Sequence, residues 1–185
     1  MFRNKVENYI SNYNDTLSKI NVHEILNCIE IIHNAWKNEN QIFVCGNGGS
    51  ALTASHFVTD WNKSIFLETG KSFKGVCLTD NIGILTAYAN DISYNEIYIE
   101  QLKNLMRKGD VLICISGSGN SKNVLLAANY AKSVYCKTIG LTGFDGGKLK
   151  NIVDHSYHVP INDMQIAEDF HLMFGHIVMQ SLCGY

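Results

Sequence analysis

Short apolar runs alternate with helical stretches from residue 41 to the end of the chain, and that alternation most narrows what the chain can fold into. Gln41–Cys45 (QIFVC), Lys74–Leu78 (KGVCL), Asp110–Ile115 (DVLICI), Cys136–Leu141 and His155–Val159 read as strands. Helices are predicted from about Ser50 to Trp61, over Ile82–Ala89 and Asn95–Met106, and from about Ser121 to Ser133 and Met164 to Leu182. Strands that are apolar along nearly their whole length must be covered on both faces, and helices between them make the sheet parallel. The expected architecture is α/β, a three-layer αβα sandwich around a central parallel sheet. Ahead of it, Val6, Ile10 and Tyr13, then Ile25, Ile29, Ile32 and Trp36, fall at helical spacing without a glycine. They predict two N-terminal helices that split near Asn21–Val22. A length of 185 residues suits one domain, 1–185, with residues 1–40 as a helical region packing on the sheet or on neighbouring subunits.

Composition excludes several partners. Fifteen Lys and Arg stand against seventeen Asp and Glu, a net charge of -2, which leaves no basic footprint for nucleic acid or an anionic membrane. The apolar runs are far shorter than the roughly 20 residues of a membrane helix. The opening MFRNKVENYISNYND is broken by charges and amides, unlike a signal peptide. Six cysteines, none in a CxxC spacing and four of them inside strand-like runs, read as buried reduced thiols. A cytoplasmic location is expected.

Two of the predicted strands run into Gly/Ser loops. VCGNGGSALTASHF passes from strand through a glycine turn into a helix, and ISGSGNSKN repeats the design with Ser116, Ser118 and Ser121. Glycines let the backbone approach an anion, and a helix N-terminus adds N–H groups with partial positive charge. Neither loop fits GxxxxGK[ST], nor the GxGxxG spacing with a ribose-binding acid. Hydroxyls and amides without a basic cluster suit a monophosphate. Asn47, Gly48, Gly49, Ser50, Ser116, Gly117, Ser118 and Ser121 are the candidate ligands.

GNGGS at 46–50 followed by ISGSGNS at 115–121 resembles the sugar isomerase (SIS) domain family. SHFVTDW, AYANDISYNE, LTGFDGGKL and EDFHLMFGH resemble phosphoheptose isomerases within it, in the same order and over nearly the whole chain. The resemblance implies a doubly wound, flavodoxin-like sheet and a homotetramer whose active sites take residues from neighbouring subunits. The reaction it implies is ketose–aldose isomerisation of sedoheptulose 7-phosphate to D-glycero-D-manno-heptose 7-phosphate, for nucleotide-activated heptose and surface polysaccharide. An isomerase for another sugar phosphate and a non-catalytic SIS adaptor or sugar-phosphate-binding module are the alternatives.

On a helix, His56 and Asp60 share a face four residues apart. Glu168 and His176 are eight apart, about 12 Å of rise and about 80° of turn, so one ion can join them only from between. The resemblance implies one zinc per active site, with His56, Asp60, Glu168 and His176 at its ligand positions. Both histidines match the family. Asp60 stands where Glu is usual, Glu168 where Gln is usual, and Gln165, a substrate-binding position by resemblance, where Asp is common. The family's arginine after the first helix is absent, with Lys63 and Ser64 in its neighbourhood. The implied catalytic set is Asp60, Glu168 and His176; either carboxylate can be the base. Asp91 resembles an aspartate that contacts substrate hydroxyls, with a helix cap as its alternative role. LTGFDGGKL reads mainly as a turn.

Overall fold

The computed structural model describes residues 2–184. Five parallel strands form one sheet: β1 (Ile42–Gly46), β2 (Gly75–Cys77), β3 (Val111–Ser116), β4 (Lys137–Thr142) and β5 (His155–His158), in the order β2-β1-β3-β4-β5. This is the doubly wound arrangement expected. Its order reverses between β1 and β3, and the crevice beyond the carboxyl ends of two such strands is where open α/β sheets bind ligands. Both Gly/Ser loops begin there.

Side-chain alternation along the strands builds the two helical layers. Ile42, Val44, Val111, Ile113, Ile139 and Leu141 point to one face, under α2 (Val22–Lys37), α3 (Gly49–Asp60) and α9 (Met164–Cys183). Phe43, Cys45, Leu112 and Cys114 point to the other, under α6 (Ile99–Leu105), α7 (Lys122–Ser133) and α8 (Gly147–Ile152). Asp110 ties the sheet's lower edge together: its carboxylate accepts from the backbone N–H of Gln41 at 2.8 Å and of Arg107 at 2.7 Å. The first helix, α1 (Phe2–Leu17), buries only Thr16 and leaves Phe2, Val6 and Ile10 exposed. Among the described residues, no helix is long and apolar enough to cross a membrane.

Three element boundaries differ from the expectation. The helix after β1 does not stop at Trp61; a π-helical turn (Trp61–Ile65) and α4 (Phe66–Thr69) carry it to Gly70, whose φ of 71° closes it in the left-handed region. The predicted helix over 95–106 is a 3-10 turn (Tyr94–Glu96) followed by α6. The helix from Ile82 runs on to Asp91 (α5), its N-terminus capped by Asn81, whose Oδ1 accepts from the Ile84 N–H at 3.1 Å. No side chain of α5 is buried. All six cysteines are free, and five of them are buried.

Candidate active site

The β1 and β3 loops enclose a cavity of about 120 Å³. Ser50, Ser116, Ser118 and Ser121 bring hydroxyls to it, and Asn47 and Gly117 complete the loop side. Met164 and Glu168 close it from α9. The β3 loop is braced within itself, with Ser116 Oγ donating to Ser121 Oγ at 3.3 Å. No cationic side chain lines it, so an anion there is held by neutral donors and helix N-termini, as the sequence suggested. Gly48, at φ 56°, makes the turn into α3. A Cβ on Gly49 would lie 2.9 Å from both Glu168 carboxylate oxygens, so that carboxylate sits over the first residue of α3, where the helix dipole favours negative charge.

A second group lies two turns further along α9. His56 and Asp60 on α3 meet His176 on α9: the two Nε2 atoms are 3.0 Å apart, and Asp60 Oδ2 lies 3.1 Å from His56 Nε2 and 3.9 Å from His176 Nε2. Among the described residues these three are the His/Cys/Asp/Glu group whose ligand atoms gather closely enough to hold a metal. Ligand atoms about 2.0–2.1 Å from a tetrahedral zinc stand about 3.3 Å from one another, so this spacing fits zinc with three protein ligands and one open position.

Helix geometry makes this meeting depend on Gly175. A Cβ there would fall 2.1 Å from Phe57 Cε1. The missing side chain lets α3 and α9 touch at the residues next to His56 and His176. Trp61, at the π turn, locks the contact by donating its Nε1 proton to the Gly175 carbonyl at 2.9 Å. A lone glycine inside an apolar helix was the available signal for this, since such a residue usually has a packing reason.

Several predicted residues fall elsewhere. Glu168 does not join the three-residue metal group; eight residues of helix separate it from His176, and it lines the hydroxyl cavity instead. Gln165 is exposed and is not among the cavity's lining residues. Asp91 ends α5, exposed, accepting from Asn90 Nδ2 at 2.9 Å; it neither lines the cavity nor caps a helix N-terminus. LTGFDGGKL crosses the β3 loop, where Gly119 of that loop and Gly147 let the two backbones meet: a Cβ on Gly119 would lie 2.1 Å from the Gly146 carbonyl oxygen. Phe144 and Asp145 of that segment also line a larger opening of about 590 Å³ next to the cavity. Residue-by-residue reading missed Asn123, Tyr94 and Tyr98, which hydrogen-bond to Asn47 from three different elements.

Comparison with known proteins places the chain in a family. The SIS domain family profile matches residues 7–143. The phosphoheptose isomerase of Aliarcobacter butzleri is 43% identical over 144 residues, covering 78% of this chain and 76% of the relative. That of Clostridium acetobutylicum is 39% identical over 157 residues, covering 85% and 80%. The solved structure of phosphoheptose isomerase from Neisseria gonorrhoeae superposes with a TM-score of 0.92 at 29% identity, covering all of both chains.

Proposed function

The chain belongs to the phosphoheptose isomerases of the SIS domain family, and from that premise we propose that it interconverts sedoheptulose 7-phosphate and D-glycero-D-manno-heptose 7-phosphate. The observation that carries the reading is the pairing of a hydroxyl-lined anion cavity with a His/Asp/His group along one helix. From Glu168 to His176 the axis rises about 12 Å, a span suited to an extended sugar whose phosphate and reacting carbons lie at opposite ends. Ser50, Ser118 and Ser121 would bind the phosphate, with Asn47, Gly48, Gly49, Ser116 and Gly117 shaping its loops.

The reaction moves a proton between C1 and C2 through an enediol and needs a base and an acid. Asp60 stands at the reacting end. With Oδ2 turned to the imidazoles, its other oxygen would take a proton from C1 of the ketose and return it to C2. His176 would give a proton to O2 and take one back from O1, so the product is the aldose and both catalytic groups end as they began. His56, Asp60 and His176 would hold the implied zinc, which when bound supplies Lewis-acid polarisation of the C1 and C2 oxygens. Ligation and proton donation compete for His176 Nε2. Glu168 lies at the phosphate end, bordering the cavity, and would accept hydrogen bonds from the chain hydroxyls nearest the phosphate.

The remaining expectations are carried as part of the same proposal: one domain over residues 1–185, a cytoplasmic enzyme and a product that feeds nucleotide-heptose synthesis for surface polysaccharide. The exposed Phe2, Val6 and Ile10 on α1 support burial of this helix against another copy of the chain, within the homotetramer that the resemblance implies. Incubation of the purified protein with sedoheptulose 7-phosphate, with and without zinc and followed by NMR, tests the reading. A heptose aldose phosphate is the expected product. Turnover raised by zinc makes His176 a ligand, and turnover suppressed by zinc makes it the acid. Saturable phosphate-sugar binding without conversion would move the activity to another sugar phosphate, and neither binding nor conversion would leave a non-catalytic SIS module.

A further inference from the structure

Asn47 is the residue at which both phosphate loops are tied, and its amide can face the cavity in two ways. Its Oδ1 accepts from Asn123 Nδ2 at 3.0 Å and from the Tyr94 hydroxyl at 2.9 Å, while its Nδ2 donates to Asn123 Oδ1 at 2.9 Å. The two amides therefore form a closed, reciprocal pair between the β1 loop and the first turn of α7. Tyr98 has one hydroxyl proton, and the Gly46 carbonyl at 2.5 Å is its nearer acceptor, ahead of Asn47 Oδ1 at 3.1 Å.

Amide orientation is decided by the network around it, and here one member of the network has no choice. The backbone N–H of Val124 can only donate, and it donates to Asn123 Oδ1 at 2.9 Å. Asn123 must then turn its Nδ2 toward Asn47, and Asn47 must answer with Oδ1 on that side and Nδ2 toward Asn123 Oδ1. One Asn47 N–H is spent in the pair, and the carbonyl oxygen is saturated by Asn123 and Tyr94. Asn47 lines both the phosphate-loop cavity and a second one beside Thr79 and Leu85, and the polar group it has left to offer a ligand is its second N–H, a donor.

We infer that Asn123 is a positioning residue: anchored by the Val124 N–H, it holds the Asn47 amide with a proton, not an oxygen, toward a bound phosphate. The inference rests on the reading of the cavity as a phosphate site. Asn123 is buried at 2% exposure and lies outside the cavity lining, so its effect passes through Asn47. Tyr94, exposed at 58%, reinforces the same polarity from the segment before α6.

Inorganic phosphate titrated into the purified protein, followed by NMR or calorimetry, tests this without any assumption about the sugar. Asn47→Ala removes one hydrogen bond to a charged group and is expected to weaken phosphate binding about tenfold or more. Asn123→Ala is expected to weaken it by a similar factor, and the double variant no further than the worse single one, because both remove the same donor. Tyr94→Phe, on the surface, supplies a variant that keeps the fold if Asn123→Ala does not, with an expected loss of about two- to fivefold. Losses that multiply in the double variant, or full phosphate affinity in both Asn123→Ala and Tyr94→Phe, overturn the inference alone. Wild-type protein that binds no phosphate removes the cavity reading, and the inference with it.

Discussion

Gly175→Ala adds one methyl group, and the structure says what it must displace. The new Cβ would stand 2.1 Å from Phe57 Cε1 and 2.3 Å from Cδ1, whereas carbon atoms in contact sit about 3.5–4.0 Å apart. Phe57 is fully buried and stacked on Trp61 at 4.9 Å, so its ring has no room to turn away. The helices must separate by about 1.5 Å instead, the difference between these distances. Overpacking of this kind costs about 1–3 kcal/mol, against about 1 kcal/mol of helix propensity gained when alanine replaces glycine. A net loss of about 1 kcal/mol lowers Tm by about 2–4 °C in a chain of this size. The larger effect falls on metal binding. Moving the two Nε2 atoms from 3.0 Å to about 4.5 Å exceeds about 4.2 Å, the sum of two Zn–N bonds. Zinc affinity, measured by competition with a chromophoric chelator, should fall at least tenfold. A variant with zinc affinity within threefold of wild type and an unchanged Tm would refute the argument that Gly175 sets the approach of His56 and His176.

Other consequences can be read in the same way. His171 is fully buried with no well-formed hydrogen bond to either ring nitrogen; burial lowers its pKa from 6.5 to about 4, against a weak opposing contact with the Thr142 backbone. The unfolded chain then binds the extra proton first as pH falls, so His171's contribution to stability is whole above pH 6.5 and is lost between about 6.5 and 4. Acidification from pH 7 to 5 should remove about 2 kcal/mol through this residue; urea titrations at the two pH values should show the difference shrink in His171→Phe. Five of the six thiols are buried, and Cys28 is raised to about 12 by its surroundings. A disulfide exchange reagent at pH 8 should therefore label the partly exposed Cys183 promptly and the other five only on unfolding; two or more fast thiols would contradict the packing. Gly119→Ala puts a Cβ 2.1 Å from a backbone oxygen at a φ of +64°, and a loss of more than about 2 kcal/mol is expected by urea denaturation.

The sheet was legible because its signal is local. Each strand is a near-continuous apolar run, and each Gly/Ser loop lies directly after one, so the strand set and the loop positions follow from neighbouring residues. His56 and Asp60 were legible for the same reason, being one turn apart on one helix. What the sequence hid is long-range. Asn123 contacts Asn47 across 76 positions and His176 meets His56 across 120, and no spacing rule reaches that far. The assignment of Glu168 to the metal group came from resemblance, while the arithmetic of eight helical residues already set it about 12 Å from His176 along the axis. Helix boundaries failed where a tertiary contact overrode propensity: Trp61 is buried by its bond to Gly175, and the helix it sits in continues through a π turn past the predicted stop.

The Glu168 carboxylate is the feature of this site most exposed to a decisive test. It borders the same small cavity as Ser50, Ser118 and Ser121, so a phosphate bound there would face a like charge. Two unit charges about 5 Å apart repel by about 3 kcal/mol at an effective dielectric of about 20. The α3 N-terminus, beside which the carboxylate lies, returns about 0.3–1 kcal/mol of that. On charge alone, Glu168→Gln should tighten inorganic phosphate at least tenfold. A sugar phosphate adds a second term, because a carboxylate accepting from chain hydroxyls makes stronger hydrogen bonds than an amide. If Glu168 serves those hydroxyls, the variant should gain affinity for free phosphate yet lose it for sedoheptulose 7-phosphate, with turnover reduced only a few-fold. A fall in kcat of about a hundredfold or more, with phosphate binding still improved, would make Glu168 the base and reduce Asp60 to a ligand. Weaker binding of free phosphate would refute the placement of the anion in this cavity.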